Sequence, residues 1–212
     1  MSVRHPFTLF TLLTGHRCSQ VDDCTLEWTF AEESLDYVHL RWLAGSIPDW
    51  PHFMNQAYRC LKPGGWIEHL ELDGAFFSDD GTILPGSALD QWGPLFAKFG
   101  QTLAKPVTFS IVKDGLQRTY MEEAGFVNVS EKRVKLPIGP WPKDPELKKL
   151  GSFQLAAIEA DLEGWFIYAA TSQGWSREQI GVYCAYARKE LRSPRVHSYL
   201  LSQAVWGQKP YA

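Results

Sequence analysis

The chain has 212 residues, of which 45% are hydrophobic, 14% aromatic and 21% charged, and its formal net charge is −3. That balance excludes a disordered chain, a collagen and a coiled coil, and a chain of this length buries roughly 70% of its unfolded surface. With a slight acidic excess there is no broad basic field to hold a polyanion, so nucleic acid is not expected as the main ligand.

The first five residues are basic and Phe7 to Leu13 is apolar, the outline of a secretory leader. The apolar run is short, broken by threonines, and followed by no small-x-small cleavage pattern. It is therefore expected to stay on the chain and to pack beside the first strand of the sheet, since a free apolar tail associates. Leu35 to Leu40 reads as that strand. A helix follows from about His52 to Leu61, with Phe53, Ala57 and Leu61 on one stripe. Lys62-Pro63-Gly64-Gly65 ends the helix in a type II turn, because proline presets φ and glycine accepts a positive one. Trp66 to Leu72 then reads as a strand with Trp66, Leu70 and Leu72 as its apolar positions.

Two more helices are expected, over 89–99 and 115–124, the second closed by Gly125. Phe126 to Leu136 reads as extended. Asp144-Pro145-Glu146 is a helix start, with an acceptor at the cap and proline in the first turn. That helix runs to about Ala170, with a break near Gly164. Ser176-Arg177-Glu178-Gln179 is a capping box for a helix reaching Leu191. Val196 to Gly207 reads as a last strand. Strands alternating with helices indicate an α/β fold.

Cys18, Cys24, Cys60 and Cys184 form no CxxC pair and have no histidine cluster beside them. A reducing compartment, cytoplasmic or nuclear, fits better than a disulfide framework or a zinc site. No apolar stretch is long enough to span a membrane. Phosphate-binding, dinucleotide, zincin and serine-hydrolase motifs are absent. Asp22-Asp23-Cys24 reads either as a solvated acidic turn or as a strand-end carboxylate able to accept from an exocyclic amine. His39 reads as a hydrogen-bonded rim or core residue. Arg41 has a plain reading as a surface ion pair with Glu32 or Asp49. Glu68 and Glu71 point to opposite faces of their strand and make a poor acid/base pair. The nine tryptophans are spread along the chain, as core packing requires.

Four runs are more specific: Val21 to Phe30, Leu35 to Arg41, Gly45-Ser46-Ile47-Pro48-Asp49-Trp50, and Ala57 to Glu68 with its Lys-Pro-Gly-Gly turn. Together with Gly174-Trp175-Ser176 and Val205 to Pro210 they resemble the fungal methyltransferases related to the velvet-complex regulator of secondary metabolism, the LaeA-like family. The resemblance implies a class I, Rossmann-like sheet that binds S-adenosylmethionine. It places the adenine against Asp23 and Cys24, and the methionine and transferring methyl against His39, Leu40 and Arg41. It implies methyl transfer to a small-molecule or protein acceptor. It also implies two βα units, with a glycine-rich loop and a ribose-binding acid, ahead of Val21. Residues 1–20 hold one glycine, Gly15, and no acid, while two such units need roughly 60 residues. The expected architecture is therefore an atypical segment over 1–20, then a methyltransferase-like domain over 21–212. Its partial sheet lacks the first two βα units, carries added C-terminal helices, and leaves an edge open for a partner chain or a second copy. Alternatives are a methyltransferase-like protein that acts through protein contacts, or a cofactor-independent enzyme.

Overall fold

The structure, a computed structural model, describes residues 22–211. The expected packing of Phe7 to Leu13 lies outside the described residues. The elements run β1 (Leu35–Arg41), α1 (Trp50–Cys60), β2 (Leu61–Phe77), α2 (Ala88–Thr102), α3 (Leu116–Glu123), β3 (Val127–Pro137), α4 (Pro145–Ala160), α5 (Leu162–Thr171), α6 (Arg177–Arg192) and β4 (Tyr199–Gln208). The sheet has the order β1-β2-β4-β3. β1 is parallel to β2, and the other two pairings are antiparallel. This is the expected α/β sheet with its added C-terminal helices, and among the described residues no strand precedes β1.

Local chemistry sets the helix boundaries. The Asp49 carboxylate accepts from His52 N–H, and Pro51 sits in the first turn of α1. Asp144 accepts from the amides of Glu146 and Leu147 to start α4. The expected break falls at Asp161, which leaves helical geometry (φ −151°, ψ 46°) and caps α5 by accepting from Gly164 N–H. Ser176 and Gln179 form the capping box of α6. The Lys-Pro-Gly-Gly turn forms with Gly64 at φ +80°. It lies inside β2 as an irregularity in the pairing, since Gly64 N–H donates to Lys209 O at 2.9 Å and Lys209 N–H to Gly65 O at 2.8 Å.

One face of the sheet carries the first core. Val38, Leu40, Ile67, Leu201 and Val205 pack against Trp50, Phe53, Met54 and Ala57 of α1 and Met121 of α3. At one end of the opposite face, Leu72, Leu136 and Leu200 meet the second core, where Trp92 of α2 joins Ile158, Phe166 and Tyr183 of α4–α6. Among the described residues, no helix lies over the rest of that face. Tyr37 and Trp66 pair there, as do His39 with Glu68 and Arg41 with Leu70. This overturns the expected apolar face of β2. Ile67, His69, Glu71 and Asp73 are buried, whereas Trp66 is 38% exposed. The polar side is the more deeply buried because α1, α3 and the following loops cover it, while of the three apolar positions Leu72 packs against the second core.

The polar side of β2 holds its neighbours in place. Asp73 accepts from Lys113 N–H at 2.8 Å and from Ala75 N–H at 3.3 Å. Burial is the main cause of a raised Asp73 carboxyl pKa, opposed by those two donors. A carboxyl raised in the folded chain keeps its proton longer there than in the unfolded chain. Its contribution to stability is present at low pH and is lost as pH rises through the folded value. Asp73→Asn removes that loss. Urea unfolding from about pH 3 to pH 7 should show the variant gaining on the parent as pH rises through the carboxylate range; a pH-independent difference counts against the buried carboxyl. In the second core, Phe166 is wholly buried, with its ring 4.4 Å from Tyr183 and 5.3 Å from Trp92. Phe166→Ala is expected to cost about 3–5 kcal/mol in the same measurement.

Candidate functional site

The carboxyl end of β1 brings two of the expected residues together. His39 and Arg41 alternate with buried Val38 and Leu40, so both side chains stand on the uncovered face. His39 Nδ1 lies 3.2 Å from Glu68 Oε1 and 3.5 Å from the Tyr37 hydroxyl. The Leu40 side chain points into the first core, so only its backbone faces outward. Arg41 forms no ion pair among the described residues, and the expected pairing with Glu32 or Asp49 does not occur. Its guanidinium lies 4.0 Å above the Trp42 ring instead. Asp49 is engaged as the α1 cap.

The turn after β1 is under strain. Trp42 has φ +57°, a left-handed conformation that bulky residues rarely adopt. Three bonds hold the turn there. Trp42 N–H donates to Leu70 O at 3.1 Å, Gly45 N–H donates to Thr108 O at 2.8 Å, and Leu43 N–H donates to the Glu71 carboxylate. Gly45 itself has φ +77°, and a Cβ there would overlap the Phe109 ring. Glu71 is in turn held by His69 Nε2 at 3.0 Å, both side chains being buried. Gln117 Nε2 donates to His69 O at 3.0 Å, and the Trp50 ring lies 4.8 Å from the His69 ring. Among the described residues, Trp50 Nε1, His69 Nδ1 and Gln117 Oε1 are buried without a partner. Sequence reading missed this group. Its signal is the run of polar side chains at 69, 71 and 73, alternating with Leu70 and Leu72.

Asp23 and Cys24 lie in an exposed turn ahead of β1 in the chain. Asp23 Oδ1 accepts from Thr25 N–H at 3.0 Å and from Thr25 Oγ1 at 2.7 Å. Those bonds hold the carboxyl below its ordinary range, so it is ionised and acceptor-only at neutral pH. Cys24 O accepts from Trp28 Nε1 at 3.0 Å, and partial burial pushes the thiol pKa up. Arg59 of α1 anchors the stretch by donating to Trp28 O at 3.0 Å and Phe30 O at 3.3 Å. No hydrogen bond or ion pair joins Asp23 or Cys24 to His39 or Arg41 among the described residues.

The sequence profile of a methyltransferase domain family matches residues 14–131. The chain is 33% identical to methyltransferase pytC of Aspergillus terreus over 196 residues, covering 90% of this chain and 58% of that protein. It is 32% identical to the probable methyltransferase tdiE of Emericella nidulans, with the same coverage. It is 27% identical to the secondary metabolism regulator laeA of Aspergillus fumigatus, covering 87% of this chain and 49% of that protein. The chain thus spans about half the length of these relatives. Among solved structures, Haemonchus contortus phosphoethanolamine N-methyltransferase 2 with S-adenosyl-L-methionine is similar at 16% identity and a TM-score of 0.45, over 89% of this chain and 36% of that one. With more than half of its length matched by the profile, the chain belongs to the methyltransferase domain family.

Proposed function

We propose that this chain is part of an S-adenosylmethionine-dependent methyltransferase of fungal secondary metabolism, acting in the cytoplasm or nucleus. The observation that carries the reading is the locked end of β1, where His39 and Arg41 stand on one face and Glu71 fixes the turn that follows. Family membership and the names of the relatives supply the chemistry. Within the described residues, no helix is long and apolar enough to cross a membrane.

The donor set fits the two ends of the cofactor that the family resemblance assigns here. The ionised Asp23 carboxylate suits the exocyclic amine of adenine, and the Cys24 amide suits the ring edge. When bound, the cofactor supplies an electrophilic methyl on a sulfonium. Alignment and exclusion of water then do most of the work, so no catalytic dyad is required. His39 is oriented through Nδ1 by Glu68, which leaves Nε2 as the ring nitrogen free to meet a substrate group on this face. Arg41 supplies a fixed positive charge braced on Trp42.

Residues 1–20 hold one glycine and no acid, so the glycine loop and ribose acid that the resemblance implies are not supplied there, and weak binding is the expectation for the 212-residue chain alone. Micromolar affinity is about −8 kcal/mol, and two lost charge-assisted hydrogen bonds remove about 3–6 kcal/mol of it. Titration with S-adenosylhomocysteine followed by NMR should give a Kd above about 10 μM, with shifts at Asp23, Cys24 and His39 to Arg41. A tighter Kd overturns the weak-binding expectation; silence at those residues overturns the site assignment. In the same titration Asp23→Ala should weaken binding by about 1–3 kcal/mol, the penalty for an unmet polar partner. An unchanged affinity moves the adenine elsewhere.

A further inference from the structure

We infer that Trp28 is a positioning residue for adenine recognition, aiming the Asp23 carboxylate from within its turn; this rests on the proposed placement of adenine at Asp23 and Cys24. Exposed turns are ordinarily the mobile parts of a chain. This one is pinned. Leu26 N–H donates to Asp23 O at 3.0 Å and closes it. Inside it, the peptide joining Cys24 to Thr25 is held on both sides. Its C=O accepts from Trp28 Nε1 at 3.0 Å, and its N–H donates to Asp23 Oδ1 at 3.0 Å. A peptide is planar, so the direction of the C=O sets that of the N–H. Trp28 thereby decides where the Asp23 carboxylate stands. Thr25 Oγ1 donates to the same Asp23 oxygen at 2.7 Å. Both bonds fall on Oδ1, which leaves Oδ2 to accept from a ligand amine.

Trp28 can aim the turn because it is fixed itself. Its half-buried ring packs on the first core, edge-on to Phe53 at 5.2 Å, and Phe53 is almost wholly buried. Phe30 lies edge-on to the same ring at 6.3 Å. Arg59 of α1 donates to the Trp28 carbonyl at 3.0 Å. Two residues after Phe30, backbone bonds from Glu33 and Ser34 to the carbonyls of Arg59 and Cys60 carry the same attachment into β1. An indole has one polar atom, a donor, and here it goes to Cys24 O. Phenylalanine at position 28 would keep the ring contacts and offer the turn no donor.

The test is an NMR titration of the 212-residue chain with two ligands. One is S-adenosylhomocysteine; the other is its analogue with hydrogen in place of the exocyclic amine. The parent should bind the first about tenfold more tightly, the order of one hydrogen bond to a charged group. In Trp28→Phe that preference should fall to about twofold or less, with the resonances of α6 unmoved. A structural loss elsewhere would weaken both ligands alike and leave the preference in place. If Trp28→Phe fails to fold, replacing Trp28 by benzothienylalanine keeps the indole outline, removes the N–H and gives the same reading. A full preference in the folded variant overturns the inference and leaves the adenine site standing. Equal affinity of the parent for the two ligands overturns the adenine site and the inference with it.

Discussion

The buried Glu71 carboxylate is the constraint on which the site depends. A carboxyl group taken out of water is tolerated only where hydrogen bonds replace its hydration. Here those bonds come from two directions, His69 Nε2 two residues back on β2 and Leu43 N–H in the turn after β1. The carboxylate therefore couples strand to turn. The turn cannot relax away from its left-handed residue at Trp42 without leaving a buried acceptor unmet. Two residues on, Asp73 does the same for the loop at Lys113, and Gly45 N–H to Thr108 O ties the two loops together. The rim at the carboxyl end of the sheet is thus built from loops fixed by one strand.

The helices were legible because their signals are local. Asp49, Asp144 and Ser176 are cap acceptors with their partners two or three residues away, and prolines at 51 and 145 mark first turns. The Gly64 turn was legible for the same reason. The face of β2 was not. Leu70 and Leu72 set an apolar alternation, while the amides that meet the Glu71 and Asp73 carboxyls come from Leu43 and Lys113. A pattern over seven residues does not contain partners forty positions away. Arg41 was misread for a related reason. Acids nearby in sequence suggested an ion pair, but Asp49 is used as a cap and the neighbouring indole offers a flat surface instead. The sequence alone left Asp22-Asp23-Cys24 between a solvated turn and a strand-end carboxylate and His39 as a rim or core residue, and the family resemblance supplied their assignment to the cofactor.

The two halves of the sheet face toward α4–α6 follow different rules. Where Leu72, Leu136 and Leu200 stand, the added helices close over them with a stack of Trp92, Phe166 and Tyr183. Where Tyr37, Trp66 and Trp206 stand, nothing in the described chain closes over them, and His39 pairs with Glu68 among them. The same sheet is finished at one end and open at the other. Its end at β1 also carries His39 and Arg41, to which the proposed function assigns the cofactor's methionine. Catalysis of methyl transfer needs that end enclosed, because alignment and exclusion of water are the main contributions a protein makes to displacement at a sulfonium. A protein working through contacts needs the same end free.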